Sequence, residues 1–531
     1  MSSRRRQRLG AWLGFWLTAV LIAANYLIEK ILHIPLLPYT LFDWLAMNLP
    51  GDVVTWGLDR MIDVVQFIGI GRTSEAGKTA ERIMAITIVL IAGTGFGAIF
   101  GQWIRKRQHA IFAAGLAIVP SVALMFWFDN QEGWTGLNAL WVVGFWLVWA
   151  VLLEAWLSRI DSLPDAFQTA EEFKTRDSLM TRRIFLNNLS VRLIAVSFGF
   201  MAFRWLLNAL IIENDLAGIA LDQTGEMPPP RDASAEDFQP APGTRDEIIA
   251  PEHFYVIDKN TFPPNVSAED WELIVDGAVE NEMRYSYDDI LAMDNAVDFY
   301  ATLMCISNNV GGDLIDNTIW TGIPLVSLLL AAGVRPDTRE IKFYSADGYY
   351  ESLPLESSLD ERSMLCYGMG GESLTVKHGF PLRLYTPGRY GMKNPKWIER
   401  IEAIAEIDDG YWTERGWDKH AFINITTIID SPEGAVQNGM LPVGGIAFGG
   451  AKGISKVEVR LENGDWHEAT LREALSPLAW VQWRVEIPIG DRDSGVLTAR
   501  CVDGEGNMQI EARTGSRPDG ATGYHQFDLR L

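Results

Sequence analysis

Cysteine is scarce in this chain: three in 531 residues, Cys305, Cys366 and Cys501, with no CxxC or CxxCH spacing. That speaks against a disulfide framework, a zinc ribbon and a covalently attached c-type haem. Positive charge is also short, 45 Lys and Arg against 68 Asp and Glu, for a net charge of −23. A nucleic-acid partner is not expected, because displacing counterions from phosphate takes a basic surface. Histidine is rare too, and neither His33 nor His109 lies deep in an apolar run. A haem within a helix bundle needs facing histidines there, so no haem is expected.

Long apolar runs fill the chain before residue 213. Stretches 11–28, 83–104, 110–128, 135–157 and 191–212 are each about the ~20 residues that cross a hydrocarbon core. They predict an all-α transmembrane domain of five helices over 1–213, since buried helices of a soluble domain would keep a polar face. Cytoplasmic ends are the Lys/Arg-rich ones. Arg4, Arg5, Arg6 and Arg8, then Arg105, Lys106 and Arg107, then Arg159, Lys174, Arg176, Arg182 and Arg183 alternate accordingly. The N-terminus is placed on the cytoplasmic side of a bacterial cytoplasmic membrane, and everything after residue 213 on the opposite side, in the periplasm. Segment 53–70, interrupted by Asp59, Arg60 and Asp63, reads as an interfacial or re-entrant helix. Arg204 falls inside the fifth span, where snorkelling or pairing in the bundle is weighed ahead of a functional role.

Residues 214–250 are rich in Pro, Asp, Glu and Ala and read as a linker. From 251 to 419, β-like "WELIVDGAV" and "EIKFYSADGYYESLPL" alternate with helix-like "TGIPLVSLLLAAG", an α+β pattern. From 420 to 531, "AFINITTIID", "KVEVRLENG", "WVQWRVEIPI" and "GVLTARCVDGEG" read as the strands of an all-β sandwich.

Three stretches, "YATLMCISNNVGGDLIDNTIWTGIPLVSLLLAAG", "HGFPLRLYTPGRYGMKNPKW" and "GGIAFGGAKGISKVEVRLENGDWHEA", together resemble the sulfite oxidase family of molybdopterin enzymes over roughly 251–520. The resemblance implies a molybdenum–molybdopterin domain of the sulfite oxidase fold followed by an immunoglobulin-like dimerisation domain, hence a possible homodimer. It implies that Cys305 ligates the metal, a role that suits a soft, anionic thiolate. His378, Arg383, Lys393, Asn394 and Lys396 fall on its cofactor-binding positions, with Asn260 and Asp347 as weaker candidates. Cationic side chains and close backbone approach are what a pterin phosphate requires. Trp320 matches an active-site tryptophan, Trp417 stands where the family has a tyrosine, and Lys452 stands where it has an arginine. Asn308, Asn309 and Val310 occupy positions where sulfite oxidases carry arginines. A sulfite dianion needs converging cations, so the pocket reads as short of them.

The expected function is a membrane-anchored oxidoreductase doing two-electron, oxygen-atom-transfer chemistry on a small substrate, with a cytochrome or a quinone-linked membrane protein as external electron carrier. The alternatives are a sulfite dehydrogenase proper, a non-catalytic membrane protein with a binding domain of this type, and a transporter with a periplasmic sensor domain. Finally, "TRRIFLNN" at 181–188 looks like a twin-arginine export signal standing just before the fifth span. A domain that receives its cofactor in the cytoplasm must cross the membrane folded, so the twin-arginine machinery is an expected partner.

Overall fold

The computed structural model of the chain describes residues 3–32, 36–49, 73–103, 136–161 and 189–202, isolated positions between them, and 238–530 apart from 431, 435 and 491. The chain divides into two units, Met1–Leu49 with Gly77–Asn214 and Pro50–Ala76 with Asp215–Leu531.

In the first unit, three helices are long and apolar enough to cross a membrane, Ser3–Ile28, Thr73–Trp103 and Val143–Asp161, and Leu189–Ala202 is a shorter apolar helix. The first, second and fourth expected spans are therefore helical. The third is described only at scattered positions up to 118, and the fifth only to residue 202. Most of the 53–70 segment, Arg204, the 181–188 motif and linker residues 214–237 lie outside the described residues. Lipid offers no hydrophobic drive for helices to associate, so close backbone approach has to do that work. Two rows of small residues provide it here. A β-carbon at Gly10 would lie 2.1 Å from the carbonyl oxygen of Gly97, and one at Gly14 2.3 Å from that of Gly93. Thr18 continues the first row and accepts the indole N–H of Trp149 at 3.0 Å. Arg6 pairs with Asp161 and donates to the carbonyl of Gly101 at 2.8 Å. The start of the first helix thus meets the ends of the Thr73–Trp103 and Gly136–Asp161 helices.

The second unit begins with two sheets. One orders Met283–Ser286, Glu272–Gly277, Ile398–Ile404, Glu340–Ser345 and Tyr350–Pro354. The other orders Val297–Met304, Ile315–Pro324, Met364–Met369 and Glu372–Ser373, with Arg383–Tyr385 paired to Met364–Met369. Helix Leu325–Ala332 is closed by Gly333 at φ 69°, a left-handed cap. It packs with Leu273, Val275, Ile341, Phe343, Leu365 and Tyr367 in a core shared by both sheets. Alternation along Met364–Met369 sends Met364 and Cys366 to the opposite face, into a second cluster with Phe254, Tyr255, Cys305 and Trp320. Strand Ile315–Pro324 is covered on both faces, which is why its sequence shows no apolar alternation.

The remainder forms two further sheets. Thr426–Ile429, Met440–Phe448, Val481–Pro488 and Thr470–Leu471 form one four-stranded antiparallel sheet, and His467–Glu468, Ile454–Leu461, Ser494–Asp503 and His525–Arg530 the other. Leu441, Val443, Val457, Val459, Trp483, Leu497 and Cys501 fill the space between them.

The linker needs a correction. Residues 239–249 run as a hydrogen-bonded strap. Arg245 grips Asp430 through Nε at 2.9 Å and Nη2 at 2.7 Å. The carbonyl of Glu247 accepts from Asn317 and from Trp480, each at 2.9 Å. These residues show no apolar periodicity because main-chain groups hold them.

Candidate active site

Cys305 follows strand Val297–Met304 directly, and its N–H closes the hairpin on the carbonyl of Leu314 at 3.0 Å. Its thiol is buried, with Sγ 3.0 Å from the hydroxyl of Ser307. Burial pushes the thiol pKa up, against the hydrogen bonds from Ser307 and Ile306. A bound cation reverses that preference and favours the thiolate. The 3₁₀ turn Gly391–Lys393 presses on the same spot: a β-carbon at Gly391 would lie 3.4 Å from the carbonyl of Met304 and 3.3 Å from the hydroxyl of Tyr255. Tyr255 is anchored by its N–H to Asp316 at 2.7 Å, and burial first, then the Cys305 charge, raises its pKa.

His378 and Arg383 come together. Nε2 of His378 lies 2.7 Å from the carbonyl of Pro251. A carbonyl only accepts, so Nε2 carries the proton. Burial holds the ring neutral, with a pKa down at about 3. Arg383 is 4% exposed. It donates to the carbonyl of His378 at 2.9 Å and lies 4.9 Å from the centroid of the Trp320 ring. Burial lowers its pKa to about 10. Among the described residues no carboxylate pairs with it. Leaving a guanidinium buried without an anion is costly, and a phosphate is the partner whose geometry it matches. Among the described residues, Nδ2 of Asn308, the hydroxyl of Ser345 and the hydroxyl of Thr375 are also buried without a hydrogen-bond partner. They stand three residues from Cys305, two from Asp347 and three from His378. A soft thiol, an anion-seeking guanidinium and unsatisfied donors fit an anionic, hydrogen-bonding metal cofactor.

Asn260 and Asp347 also meet: the Asp347 carbonyl accepts Nδ2 of Asn260 at 3.1 Å and Nζ of Lys259 at 2.7 Å. The remaining candidates find partners within the chain. Lys393 is fully buried and pairs with Glu351 at 2.6 Å, so its charge is already matched. Asn394 spends both ends of its amide locally, accepting from the Thr386 N–H at 2.5 Å and donating to the Tyr390 carbonyl at 3.0 Å. Lys396 pairs with Asp258 and lies 4.4 Å above the Trp397 ring. Trp320 is 1% exposed and its N–H is taken by the Ala301 carbonyl at 3.1 Å, so it forms a floor beneath Arg383. Lys452 is exposed and pairs with Glu505 at 2.8 Å.

The sandwich cation beside Trp417 is instead Arg517, 4.6 Å from the ring centroid. Trp417 packs against a cluster holding Met304, Ile306 and Tyr390, the residues around Cys305. The Arg517 loop is tied down by Asp418 N–H to the Pro518 carbonyl at 3.0 Å and by Asn424 to the Asp519 carbonyl at 2.9 Å. Neither Arg517 nor Glu351 belongs to the stretches that carry the resemblance, and spacing gave no signal for them. Cys366 and Cys501 are buried core thiols; burial pushes Cys366 up to about 12.

Residues 260–412 match the family described as "Oxidoreductase molybdopterin binding domain". The chain is 29% identical over 317 residues to mitochondrial sulfite oxidase of Drosophila melanogaster, covering 49% of this chain and 55% of that protein. It is 25% identical over 342 residues to sulfite oxidase of Arabidopsis thaliana, covering 52% of this chain and 87% of that protein. NADH nitrate reductase of Solanum lycopersicum is 25% identical over 333 residues, which cover 50% of this chain and 36% of the enzyme. The chain thus spans about half the Drosophila protein and about a third of the tomato one. Among solved structures, it is similar to the sulfane dehydrogenase SoxCD of Paracoccus pantotrophus, at 21% identity and a TM-score of 0.47, over 59% of this chain and 93% of that one. Its molybdopterin-binding domain and its sulfite oxidase and nitrate reductase relatives support a molybdenum-dependent oxidoreductase of the sulfite oxidase type.

Proposed function

We propose that the chain is a membrane-anchored, extracytoplasmic oxidoreductase that acts on a small oxide of sulfur or nitrogen. The observation that carries the reading is Arg383, a buried guanidinium with no carboxylate partner among the described residues, lying over Trp320 of the cluster that also holds the soft thiol of Cys305. When bound, a molybdenum–molybdopterin group supplies two-electron redox and oxygen-atom-transfer chemistry. Cys305 would ligate the metal, and Arg383 would hold the phosphate. His378, neutral and with its ring fixed by Pro251, would shape that pocket without adding charge. Asn308, Ser345 and Thr375 would supply neutral hydrogen bonds, and the Asp347 loop with Asn260 would flank the pterin. Trp417 and Arg517 would border the substrate and exclude water.

Neutral donors at 308 and 309 favour a neutral substrate. Arg517 over Trp417 favours a second reading, sulfite dehydrogenation, because it adds a cation beside the site. Turnover of sulfite and of a panel of S- and N-oxides by the full chain in detergent, with an artificial electron mediator, separates the two. Reduction of a neutral oxide supports the first reading, and sulfite oxidation at low KM supports the second.

The contacts of Arg6 with Asp161 and Gly101 support a topology in which the arginine-rich ends share the cytoplasmic side. Electrons would pass to or from an external carrier, and the immunoglobulin-like sandwich would serve dimerisation. Arg182 and Arg183 would direct export of the loaded domain by the twin-arginine route. With both changed to Lys, an externally added protease should no longer reach the domain in spheroplasts; unchanged access contradicts that route.

A further inference from the structure

Lys393 lies within the stretch that carries the family resemblance, yet its ammonium is fully buried against a carboxylate. Its side chain and that of Glu351 are both fully buried, with Nζ 2.6 Å from Oε1. The same oxygen accepts the N–H of Ser352 at 2.9 Å, and Nζ also reaches the Ser352 carbonyl at 3.3 Å. Close by, the Tyr349 hydroxyl lies 3.1 Å from Oε2 of Glu351 and 2.7 Å from the carbonyl of Met392. Strand Tyr350–Pro354 is in this way fastened to the turn Gly391–Lys393, whose Gly391 lies alongside Met304 and Cys305. Backbone space is given up for it as well: a β-carbon at Gly410 would fall 1.8 Å from Oε1 of Glu351.

We propose that Glu351 and Lys393 form a positioning pair, which holds the Gly391–Lys393 turn against Cys305 and takes Lys393 out of the set of cations that contact the cofactor. This rests on the cofactor reading above. The pair needs no contact with the metal or the phosphate. It acts through the turn, as groups behind a ligand fix that ligand's geometry. A buried pair is also replaceable by two apolar side chains of similar size, whereas removing one partner strands the other as an unpaired charge. Direct phosphate binding by Lys393 makes the opposite prediction, and that difference supplies the test.

Three variants of the full chain are made in molybdate-fed cells: Glu351→Gln, Lys393→Met, and the double Glu351→Met with Lys393→Met. Molybdenum and pterin are measured per folded chain, with the fold checked by circular dichroism and the metal centre by its charge-transfer absorption. The expected result is a loss of about tenfold or more in retained cofactor in each single variant. The double variant should recover to within about twofold of the parent, with the parent's absorption spectrum. The proposal is overturned if the double variant stays as empty as Lys393→Met, if Glu351→Gln retains its cofactor while Lys393→Met loses it, or if no variant changes loading. If both single variants fail to fold, the double variant decides alone, and its own failure to fold also overturns the proposal. An unloaded parent chain overturns the cofactor reading itself, and this proposal with it.

Discussion

Two halves of one stretch treat buried cations in opposite ways. Between His378 and Tyr385, Arg383 is buried with no carboxylate partner among the described residues, beside a histidine that is kept neutral. Between Lys393 and Trp397, each lysine is matched, Lys393 by Glu351 and Lys396 by Asp258. A folded chain tolerates an unbalanced interior charge only where something else supplies the balance. The first half therefore reads as a ligand site and the second as a brace.

The largest effect that could break this contrast is on stability. Lys393→Met leaves the Glu351 carboxylate buried and alone, and should cost about 3–5 kcal/mol in urea unfolding of the cofactor-free protein at pH 7. A loss too small to resolve would mean that Lys393 is not a brace.

His378 gives the next largest effect. Its folded pKa, about 3, lies below the ordinary histidine value. Between the two values the unfolded chain takes a proton that the folded chain refuses. Its share of stability is therefore complete above about pH 6.5 and declines as pH falls toward the folded value, by about 2 kcal/mol between pH 6.5 and pH 5. His378→Gln should remove that part of the slope. The decline from His525, also held down by burial, to about 4, should remain. Urea midpoints across that range check it.

Arg383→Met should move stability the other way. In cofactor-free protein it deletes an unbalanced buried charge, and the midpoint should rise by the equivalent of about 1 kcal/mol. A fall would show that the guanidinium is satisfied without a ligand.

Smallest of all is Lys452→Ala. Its 46%-exposed side chain pairs with Glu505 at the surface, and such pairs contribute little. Turnover and unfolding should both stay unchanged. Arg517→Ala should raise KM about tenfold, the usual scale for losing one charge-assisted hydrogen bond.

Much of this was legible in the sequence, for identifiable reasons. Alternating apolar residues marked the strands at 456–461 and 481–488, and the "LMCISNN" and "HGFPLR" stretches singled out Cys305, His378 and Arg383 as candidates. The partners of Lys393 and Asn394 were not legible, because spacing fixes where a backbone goes, not which partner a side chain finds. Glu351 reaches Lys393 from a strand 42 positions upstream. Strand Met440–Phe448 hides behind its own glycines: a β-carbon at Gly445 would fall 1.9 Å from the Ile428 carbonyl. The glycine rows of the first and second helices stood in plain view at four-residue spacing. They were read only for length, since an apolar count does not register close packing.

The most direct test of the central claim is the molybdenum and pterin content of the full chain and its Arg383→Met variant, both purified in detergent from molybdate-fed cells. The account predicts a parent chain loaded near one metal per chain and a variant that folds but holds roughly a hundredfold less. A fully loaded Arg383→Met variant would contradict it.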